Sequence, residues 1–218
     1  MNVLKIFEEL HKKHGSQHWW PKHKGKKRPG FDPRFEIIVG AILTQNTAWK
    51  NVEKAIGCLY EKNLLDAESI ARAPIRQLEA CIRSSGYYRQ KVKKLKIVAK
   101  FFLPFMVRSF HKWQTQNKNS TTQPLRHSIT PTREEFLSLW GIGRETADSI
   151  LLYAFNHPIF VVDAYTRRFL AAHGQKKLSL ADYDKIRVFF EDRLPRDAKL
   201  FQEYHALIVV WGKNLKTL

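Results

Sequence analysis

The residue pattern that most directly suggests chemistry is the nonapeptide Leu139–Ala147, which reads LWGIGRETA. Gly141 and Gly143 flank one aliphatic residue, and this spacing favours a tight turn that buries Ile142 and directs backbone N–H groups outward. When a helix starts directly after such a turn, its N–H groups can bind a DNA phosphate without reading base sequence. An ordinary turn between two antiparallel helices also fits these nine residues.

The elements that position this turn are predicted to be helices. Apolar residues recur at helical spacing along most of the chain, as in Val3, Ile6 and Leu10, and strand-like alternation is scarce. The sequence therefore predicts an all-α fold. The polar stretch 114–132 lacks this periodicity and predicts a long loop. The expected helices cover about residues 2–14, 34–44, 49–62, 66–72, 74–83, 87–106, 133–139, 144–156, 164–173, 179–192 and 196–213.

The charge of the chain is strongly and unevenly basic. Its 218 residues include 38 Lys and Arg against 20 Asp and Glu, a net charge of +18. Twelve basic residues and no acidic one lie between Glu79 and Glu134, and a second basic block spans Lys22–Arg28. This charge favours a polyanionic partner, most simply nucleic acid. Solubility and binding to an anionic membrane surface are the alternatives.

Other features of the composition indicate a cytoplasmic protein. No apolar run approaches the roughly 18 residues of a membrane span. Glu8 and Glu9 lie where a signal peptide would need an apolar centre. The two cysteines, Cys58 and Cys81, fit a reducing compartment. We therefore expect no membrane partner.

Further motifs lie on both sides of the nonapeptide. They are LTQNT at 43–47, GYYRQK at 86–91, Pro158, Val162-Asp163, HALI at 205–208 and Gly212-Lys213. In this order and spacing, over most of the chain except 108–132, the sequence resembles the helix-hairpin-helix-GPD superfamily of DNA base-excision glycosylases, the endonuclease III relatives. The resemblance implies two helical lobes with the active site in the cleft between them. Residues 34–157, ending in the hairpin, would form one lobe, and 1–33 with 158–218 the other.

Within this resemblance, Asp163 is the catalytic carboxylate. An ionised carboxylate can stabilise the positive charge that develops on the sugar as the glycosidic bond breaks, and can orient or deprotonate the attacking water. The alternative for Asp163 is a helix N-cap, which satisfies free backbone N–H groups. The two roles are compatible.

Two departures from the endonuclease III pattern restrict the chemistry. Relatives that also cleave the DNA backbone carry a Lys two residues after the second hairpin glycine, where this chain has Glu145. A carboxylate cannot form the Schiff base of a lyase. Many relatives bind a [4Fe–4S] cluster through four C-terminal cysteines, and here no Cys follows Cys81. We expect no lyase activity, no cluster, no required cofactor and no histidine-based metal site, with a monovalent cation at the hairpin carbonyls as the one ion that would fit.

Aromatic residues are expected to select the base. Trp19-Trp20-Pro21 and Trp49 resemble the subgroup of these glycosylases that removes 3-methyladenine, called 3-methyladenine DNA glycosylase III, which lacks the cluster. A base alkylated at a ring nitrogen is cationic, so it leaves readily and is attracted to an indole face. The alternative is that these aromatics belong to the core.

Other residues are expected to hold the DNA. By resemblance, Gln45 fills the gap left by the extruded base and Tyr87 wedges the opposite strand, which offsets part of the cost of unstacking. Lys91, just behind the wedge, is expected to contact a phosphate. A polar helix end and a solvated helix face are the respective alternatives for Gln45 and the lysines. The remaining predicted DNA contacts are Gly141, Gly143, Arg144, Thr146 and Lys213.

Together these residues predict a monomeric, monofunctional glycosylase that removes alkylated purines from double-stranded DNA. Two alternatives stay open at this point. One is a glycosylase of the same fold that acts on oxidised or mismatched bases, and the other is a hairpin module that binds DNA without catalysis. The choice among 3-methyladenine, 7-methylguanine and hypoxanthine depends on pocket shape, which residue types do not determine.

Overall fold

The computed structural model describes the backbone over residues 1–21, 23, 25, 32–116 and 130–215. Side chains are described over the same ranges except at 105–116. Most of the basic block at 22–28 and most of the predicted loop at 114–132 therefore lie outside the described residues. Within the described ranges, no helix combines the length and the apolar character that crossing a membrane requires.

Helices form all the regular structure of these ranges, without a strand, which confirms the all-α prediction. A 3₁₀ turn at Arg83–Ser85 lies between α5 and α6. The helices are α1 Val3–His14, α2 Pro33–Leu43, α3 Trp49–Glu61, α4 Ala67–Arg72, α5 Ile75–Ile82, α6 Tyr88–Gln116, α7 Arg133–Leu137, α8 Arg144–Phe155, α9 Ala164–Ala172, α10 Lys176–Ser179, α11 Tyr183–Glu191 and α12 Ala198–Asn214.

Polar side chains set many of the helix starts. Asp32 Oδ1 accepts a hydrogen bond from Arg34 N at 2.9 Å ahead of α2. Thr132 and Glu135 form a reciprocal capping box at α7. Because these side chains satisfy N–H groups that have no partner within the helix, they end the preceding loop at a defined residue.

Two predicted boundaries were wrong. Helix α6 continues to Gln116 rather than ending near 106, and it includes Pro104. Residues 105–116 contain no glycine or proline, so nothing in the sequence interrupts the backbone hydrogen bonds after Pro104. Helix α10 was not predicted, because four residues are too few to show a period, and α11 begins at Tyr183 because Asp182 caps it.

The chain divides into two compact units. Unit 1 comprises 1–21 and 143–218, and unit 2 comprises 22–142. This division lies before α8, whereas the predicted one lies after it at 157. The reason is that α8 packs on α12, where Gln202 Nε2 donates to Leu152 O at 2.7 Å. Helix α8 therefore belongs with the chain termini.

The core of unit 1 is an aromatic cluster on α11, α12 and the segment before α9. Phe160 stacks on Phe190 with ring centroids 4.1 Å apart and planes 5° from parallel. Phe201 and Tyr204 present edges to Phe160 at 5.6 and 6.0 Å. The Tyr204 hydroxyl donates to Val3 O at 2.9 Å, which joins α1 to α12. This cluster fixes α12 against the segment that leads to Asp163.

The core of unit 2 forms around α6. Val92, Leu95 and Phe102 are buried on one face of this helix, which packs on α4 and α5. Phe35 of α2 lies 5.8 Å from Phe102, centroid to centroid. This contact packs the start of α2 on the middle of α6. The first turn of α6 meets the end of α2 through the hydrogen bond from Lys91 Nζ to Leu43 O, and the residues predicted to enter DNA lie at this second junction.

Candidate functional site

Asp163 is the N-cap of α9 in unit 1. Its Oδ1 accepts hydrogen bonds from Thr166 N at 2.7 Å and from Thr166 Oγ1 at 3.0 Å, and Asp163 N donates to Thr166 Oγ1 at 3.3 Å. The buried segment 159–162 leads into this cap. The capping role considered from sequence is therefore present, and it uses one carboxylate oxygen, so Oδ2 is left for another partner.

That second oxygen faces a histidine on α12. His205 Nε2 lies 3.6 Å from Asp163 Oδ2, and the two side chains are only 7% and 15% exposed. Nε2 has no hydrogen-bond partner among the described residues. On the other side of the ring, Nδ1 lies 2.7 Å from the Tyr153 hydroxyl, which also donates to Gln202 O at 3.2 Å. A line of polar groups thus runs from α8 through α12 to Asp163.

The environment separates the pKa values of two neighbouring carboxyl groups. Burial acts to raise the pKa of Asp163, but His205 and the hydrogen bonds from Thr166 outweigh it and hold this pKa below its usual value. Burial and then repulsion from Asp163 raise the pKa of Glu145, while His205 and Arg167 oppose the rise. As pH rises, Asp163 therefore loses its proton first and stays ionised, whereas Glu145 keeps its proton to a higher pH.

The tryptophan pair in unit 1 contacts the same polar residues, His205 and Tyr153. Trp19, Trp20 and Pro21 are all half-buried. The Trp19 ring presents an edge-on contact to His205 with centroids 6.0 Å apart, and Trp20 lies 5.1 Å from Tyr153. Incomplete burial distinguishes these rings from the Phe160 cluster, whose members are fully enclosed. Trp19 and Asp163 therefore contact the same histidine.

Trp49 belongs to unit 2, where it starts α3. It is half-buried, and its Nε1 donates to Glu53 Oε1 at 2.9 Å. The pairing of Trp49 with Trp19 around a base stays a prediction. So does the location of the active site between the two lobes.

The two residues predicted to enter DNA lie together in unit 2. Tyr87 is 70% exposed and has a left-handed backbone with φ of 45°, which turns its ring away from the core. Gln45 follows α2, and its Oε1 accepts a hydrogen bond from Lys94 Nζ at 2.5 Å. Both residues line a half-open pocket of about 250 Å³ together with Asn46, Gln90, Lys91 and Lys94.

Lys91 does not have the expected exposure. Only 2% of the residue is exposed, and its ammonium donates to Leu43 O at 2.8 Å, Ser85 O at 2.7 Å and Thr47 Oγ1 at 3.1 Å. All three ammonium protons are therefore used inside the protein, and the predicted phosphate contact is corrected to an internal one. A sequence signal for this existed, since Lys91 shares a helix face with Leu95 and Phe102.

The hairpin has the predicted glycine geometry. Gly141 has φ of +82°, a conformation that favours glycine, and a Cβ there would lie 2.5 Å from Lys94 Cε, so the Lys94 side chain would have to shift to admit one. Its carbonyl accepts a hydrogen bond from Gln45 Nε2 at 3.3 Å. Gly143 is the N-cap of α8, and as a glycine it provides no side chain to cap the first turn.

The other predicted DNA contacts differ in exposure. Thr146 is 7% exposed, so its side chain faces inward. Arg144 makes an ion pair with Asp182 at 2.7 Å and lies 3.3 Å from Asp184. Lys213 is exposed in the last turn of α12. A phosphate at Arg144 would have to compete with these carboxylates.

Several residues of the site carried no functional expectation from sequence. Tyr153 and Lys94 gave no motif signal, and His205 entered only as part of HALI. Polarity within an apolar helical stripe was the available signal, because buried polar groups need partners. Among the described residues, no group of three His, Cys, Asp or Glu side chains could bind a metal. The monovalent cation at the hairpin stays a prediction.

The comparison with known proteins is consistent with these features. The sequence pattern of the HhH-GPD superfamily of base excision DNA repair proteins matches residues 39–196. The chain belongs to this superfamily. The matched residues contain the hairpin, Asp163 and the LTQNT and GYYRQK motifs. The predicted superfamily and the role in DNA repair that it implied are therefore confirmed.

Individual relatives of this HhH-GPD protein support the assignment. A protein of Methanocaldococcus jannaschii, provisionally named a DNA repair glycosylase, is 41% identical over 207 residues, which are 95% of this chain and 85% of the relative. Endonuclease III of Thermotoga maritima is 28% identical over 137 residues, 63% of this chain and 54% of its own length. The crystal structure of H. pylori 3-methyladenine DNA glycosylase bound to 1,N6-ethenoadenine has a TM-score of 0.75 and 27% identity, and covers 100% of this chain and 99% of its own.

The neighbourhood of Asp163 predicts the effect of replacing His205. In His205→Asn, the pKa of Asp163 should rise, because the group that most strongly opposes the burial effect is removed. The stability that Asp163 contributes is present above its unfolded-state pKa and lost as pH falls through its folded pKa, so the variant should lose it at higher pH than wild type. Carboxylate NMR titration measures this pKa directly.

Tyr153→Phe is the matched control for this titration. It removes one hydroxyl next to His205 but leaves the histidine beside Asp163, so the pKa of Asp163 should stay low. An Asp163 titration in His205→Asn that matches wild type would contradict the role assigned to His205.

Proposed function

We propose that this HhH-GPD protein is a monofunctional DNA glycosylase that hydrolyses the N-glycosidic bond of alkylated purines of the 3-methyladenine type in duplex DNA. One observation carries the proposal: the buried carboxylate of Asp163 and the half-buried indole of Trp19 contact the same residue, His205, at 3.6 Å and at 6.0 Å between ring centroids. A site with one ionised carboxylate and indole surfaces suits a substrate that is positively charged at both sugar and base.

Asp163 would act on the sugar. As the bond between C1′ and the base nitrogen breaks, the electron pair leaves with the base and positive charge develops on the sugar ring. The Asp163 carboxylate stabilises that charge and directs water to C1′, and the proton of this water passes to the carboxylate or to solvent. The products are the free base and an abasic site. A lowered pKa keeps Asp163 ionised for this purpose.

The tryptophans would act on the base. A purine methylated at a ring nitrogen carries a positive charge, which lowers the barrier to its departure without any protein acid. An indole face attracts such a cation by roughly 1–2 kcal/mol beyond ordinary stacking. The half-burial of Trp19 and Trp20 leaves ring surface for a ligand. Trp49 is proposed as a further wall of the pocket.

Glu145 would prevent the lyase reaction. A lyase needs an amine that attacks C1′ and forms a Schiff base, and a carboxyl group at this position offers none. Glu145 is close enough to Asp163 for their charges to interact, so the position lies beside the proposed catalytic carboxylate. We propose that water is the nucleophile because no amine is present there.

Duplex DNA is the proposed partner, held by surface contacts that do not choose the base. The start of α8 at Gly143, together with Arg144 and Lys213, is proposed to bind phosphates, while Gln45 and Tyr87 are proposed to enter the duplex. Such phosphate contacts make affinity dependent on salt but carry no base selectivity. The H. pylori 3-methyladenine DNA glycosylase, similar over its whole length, supports the choice of alkylated purines over other bases.

Replacement of Asp163 tests the activity. Asp163→Asn keeps the size and can still cap α9, but it removes the negative charge. Release of 3-methyladenine from methylated duplex DNA should fall on the order of 100- to 1000-fold. The melting temperature should fall only modestly, because the capping hydrogen bonds remain while the stability contributed by the charge is lost. Chromatography of the released bases provides the measurement. Full release by the variant, or release by wild type of an oxidised pyrimidine and no 3-methyladenine, would rule the proposal out.

Replacement of Glu145 tests the missing lyase step. Glu145→Lys places an amine beside Asp163 and should produce a covalent DNA adduct that borohydride traps, whereas wild type should give none. Glu145→Gln is the matched control, since it removes the charge without supplying a nucleophile. A trapped adduct with wild type would show that the protein is not monofunctional.

Replacement of Trp19 tests base selection. In Trp19→Ala, kcat/KM for 3-methyladenine should fall about 5- to 30-fold more than kcat/KM for the neutral base hypoxanthine, because only the cation loses its attraction to the indole. Trp19→Phe should lose less of the preference for 3-methyladenine, since a benzene ring keeps part of the attraction to the cation. An equal decrease of kcat/KM for both bases would mean that Trp19 selects the base by the shape of the pocket and not by attraction to its charge.

A further inference from the structure

Lys91 is a buried cation whose acceptors are all uncharged. Its ammonium has three protons, and three oxygens accept them at 2.7 to 3.1 Å. Burial and the charge of Lys94 lower the pKa of Lys91 to about 8. Placing a charge in such an environment is unfavourable unless its hydrogen bonds are complete. Complete hydrogen bonding at a buried lysine indicates that the ammonium stabilises the backbone segments that supply its acceptors.

The three acceptors belong to two different turns. Leu43 O and Thr47 Oγ1 lie at the ends of the turn that follows α2, and Ser85 O lies at the end of the 3₁₀ turn that precedes α6. Thr47 Oγ1 also donates to Ser85 O across the same gap. The ammonium therefore joins two segments that are about forty residues apart in sequence.

Each of these turns carries one residue proposed to enter DNA and one left-handed non-glycine residue. The first turn contains Gln45 and Asn46, with φ of 52° at Asn46. The second contains Gly86 and Tyr87, with φ of 45° at Tyr87. Asparagine adopts a left-handed conformation readily, but for a bulky residue such as Tyr87 it is unfavourable and persists only where the surroundings impose it. The hydrogen bonds of Lys91 connect the backbone immediately flanking both turns.

We infer that Lys91 is a positioning residue that holds the Gln45 turn and the Tyr87 turn in one fixed geometry, so that both side chains can enter the duplex together. The inference rests on the proposed function, because the roles of Gln45 and Tyr87 belong to it. Lys91 acts through backbone carbonyls and Thr47 and does not touch DNA. It therefore contributes to opening of the duplex and not to phosphate binding.

The test compares Lys91→Met with Lys93→Met. Methionine keeps the length of the lysine stem and removes only the ammonium. Lys93 lies two residues away on α6 and is exposed, with its ammonium 4.1 Å from the Trp140 ring centroid, so its replacement removes the same charge from the surface. Any effect common to both variants reports long-range charge, and any effect confined to Lys91→Met reports the internal hydrogen bonds.

The probe is a duplex that carries a tetrahydrofuran abasic-site analogue opposite 2-aminopurine. Its emission changes when a side chain enters the gap, and it requires no base release, so it is independent of base specificity. Lys91→Met should weaken this specific binding about tenfold, with the slope of log affinity against log salt unchanged. Loss of a phosphate contact would instead reduce that slope by about one.

Amide hydrogen exchange in the absence of DNA provides the second readout. Exchange at 45–47 and 86–88 should be at least about tenfold faster in Lys91→Met than in wild type, and unchanged in Lys93→Met. Thr47→Val is a second variant that changes no charge and removes one of the three acceptors, so it keeps the test valid if Lys91→Met folds poorly. It should give the same pattern to a smaller degree.

Each outcome decides the question. A salt slope reduced by about one in Lys91→Met, with normal exchange in both turns, would overturn the inference and restore a phosphate contact. Wild-type emission in both Lys91→Met and Thr47→Val would also overturn it, while leaving the proposed function intact. A wild-type protein that produces no emission change on the probe would contradict the roles of Gln45 and Tyr87 themselves, and the inference with them.

Discussion

Two candidate functional regions, one in each unit, depend on how a buried charge is compensated. A charged side chain that loses water is unfavourable unless fixed polar groups replace that water. In unit 1, Asp163 receives hydrogen bonds from Thr166 and faces His205. In unit 2, Lys91 donates to three oxygens on two turns. In each case a partner comes from a distant part of the chain, so satisfying the charge also fixes separate segments relative to one another.

This constraint explains how Asp163 can cap α9 and also serve as the proposed catalytic carboxylate. One oxygen of Asp163 caps α9 and is rigidly held, which orients the other oxygen towards His205. Because Glu145 nearby is pushed towards its neutral form, the two carboxyl groups are not equivalent, and only one is suited to stabilise a cation. The aromatic residues Trp19 and Tyr153 both contact the ring of His205, which faces this carboxylate. Preorganised charge of this kind is the usual means by which enzymes stabilise an ionic transition state.

The fold followed closely from local patterns, with informative exceptions. Apolar periodicity predicted most helices, because this signal acts within a few residues. The extension of α6 past 106 and the short α10 were missed. Pro104 lies just before the predicted end of the first helix, and the second helix is too short for a period. The assignment of α8 to the unit of the termini depends on its contacts with α12, which no local pattern contains.

The sequence by itself determined the superfamily, the all-α class, the glycine hairpin and Asp163 as candidate carboxylate, because these are properties of residue type and spacing. Only the tertiary structure decided that His205 faces Asp163 and that Lys91 is internal. The helix face that Lys91 shares with Leu95 and Phe102 favours burial, but a lysine at such a position can also extend its ammonium to solvent. Which state it takes depends on whether Leu43, Thr47 and Ser85, far away along the chain, present oxygens to it, and only folding brings those oxygens together.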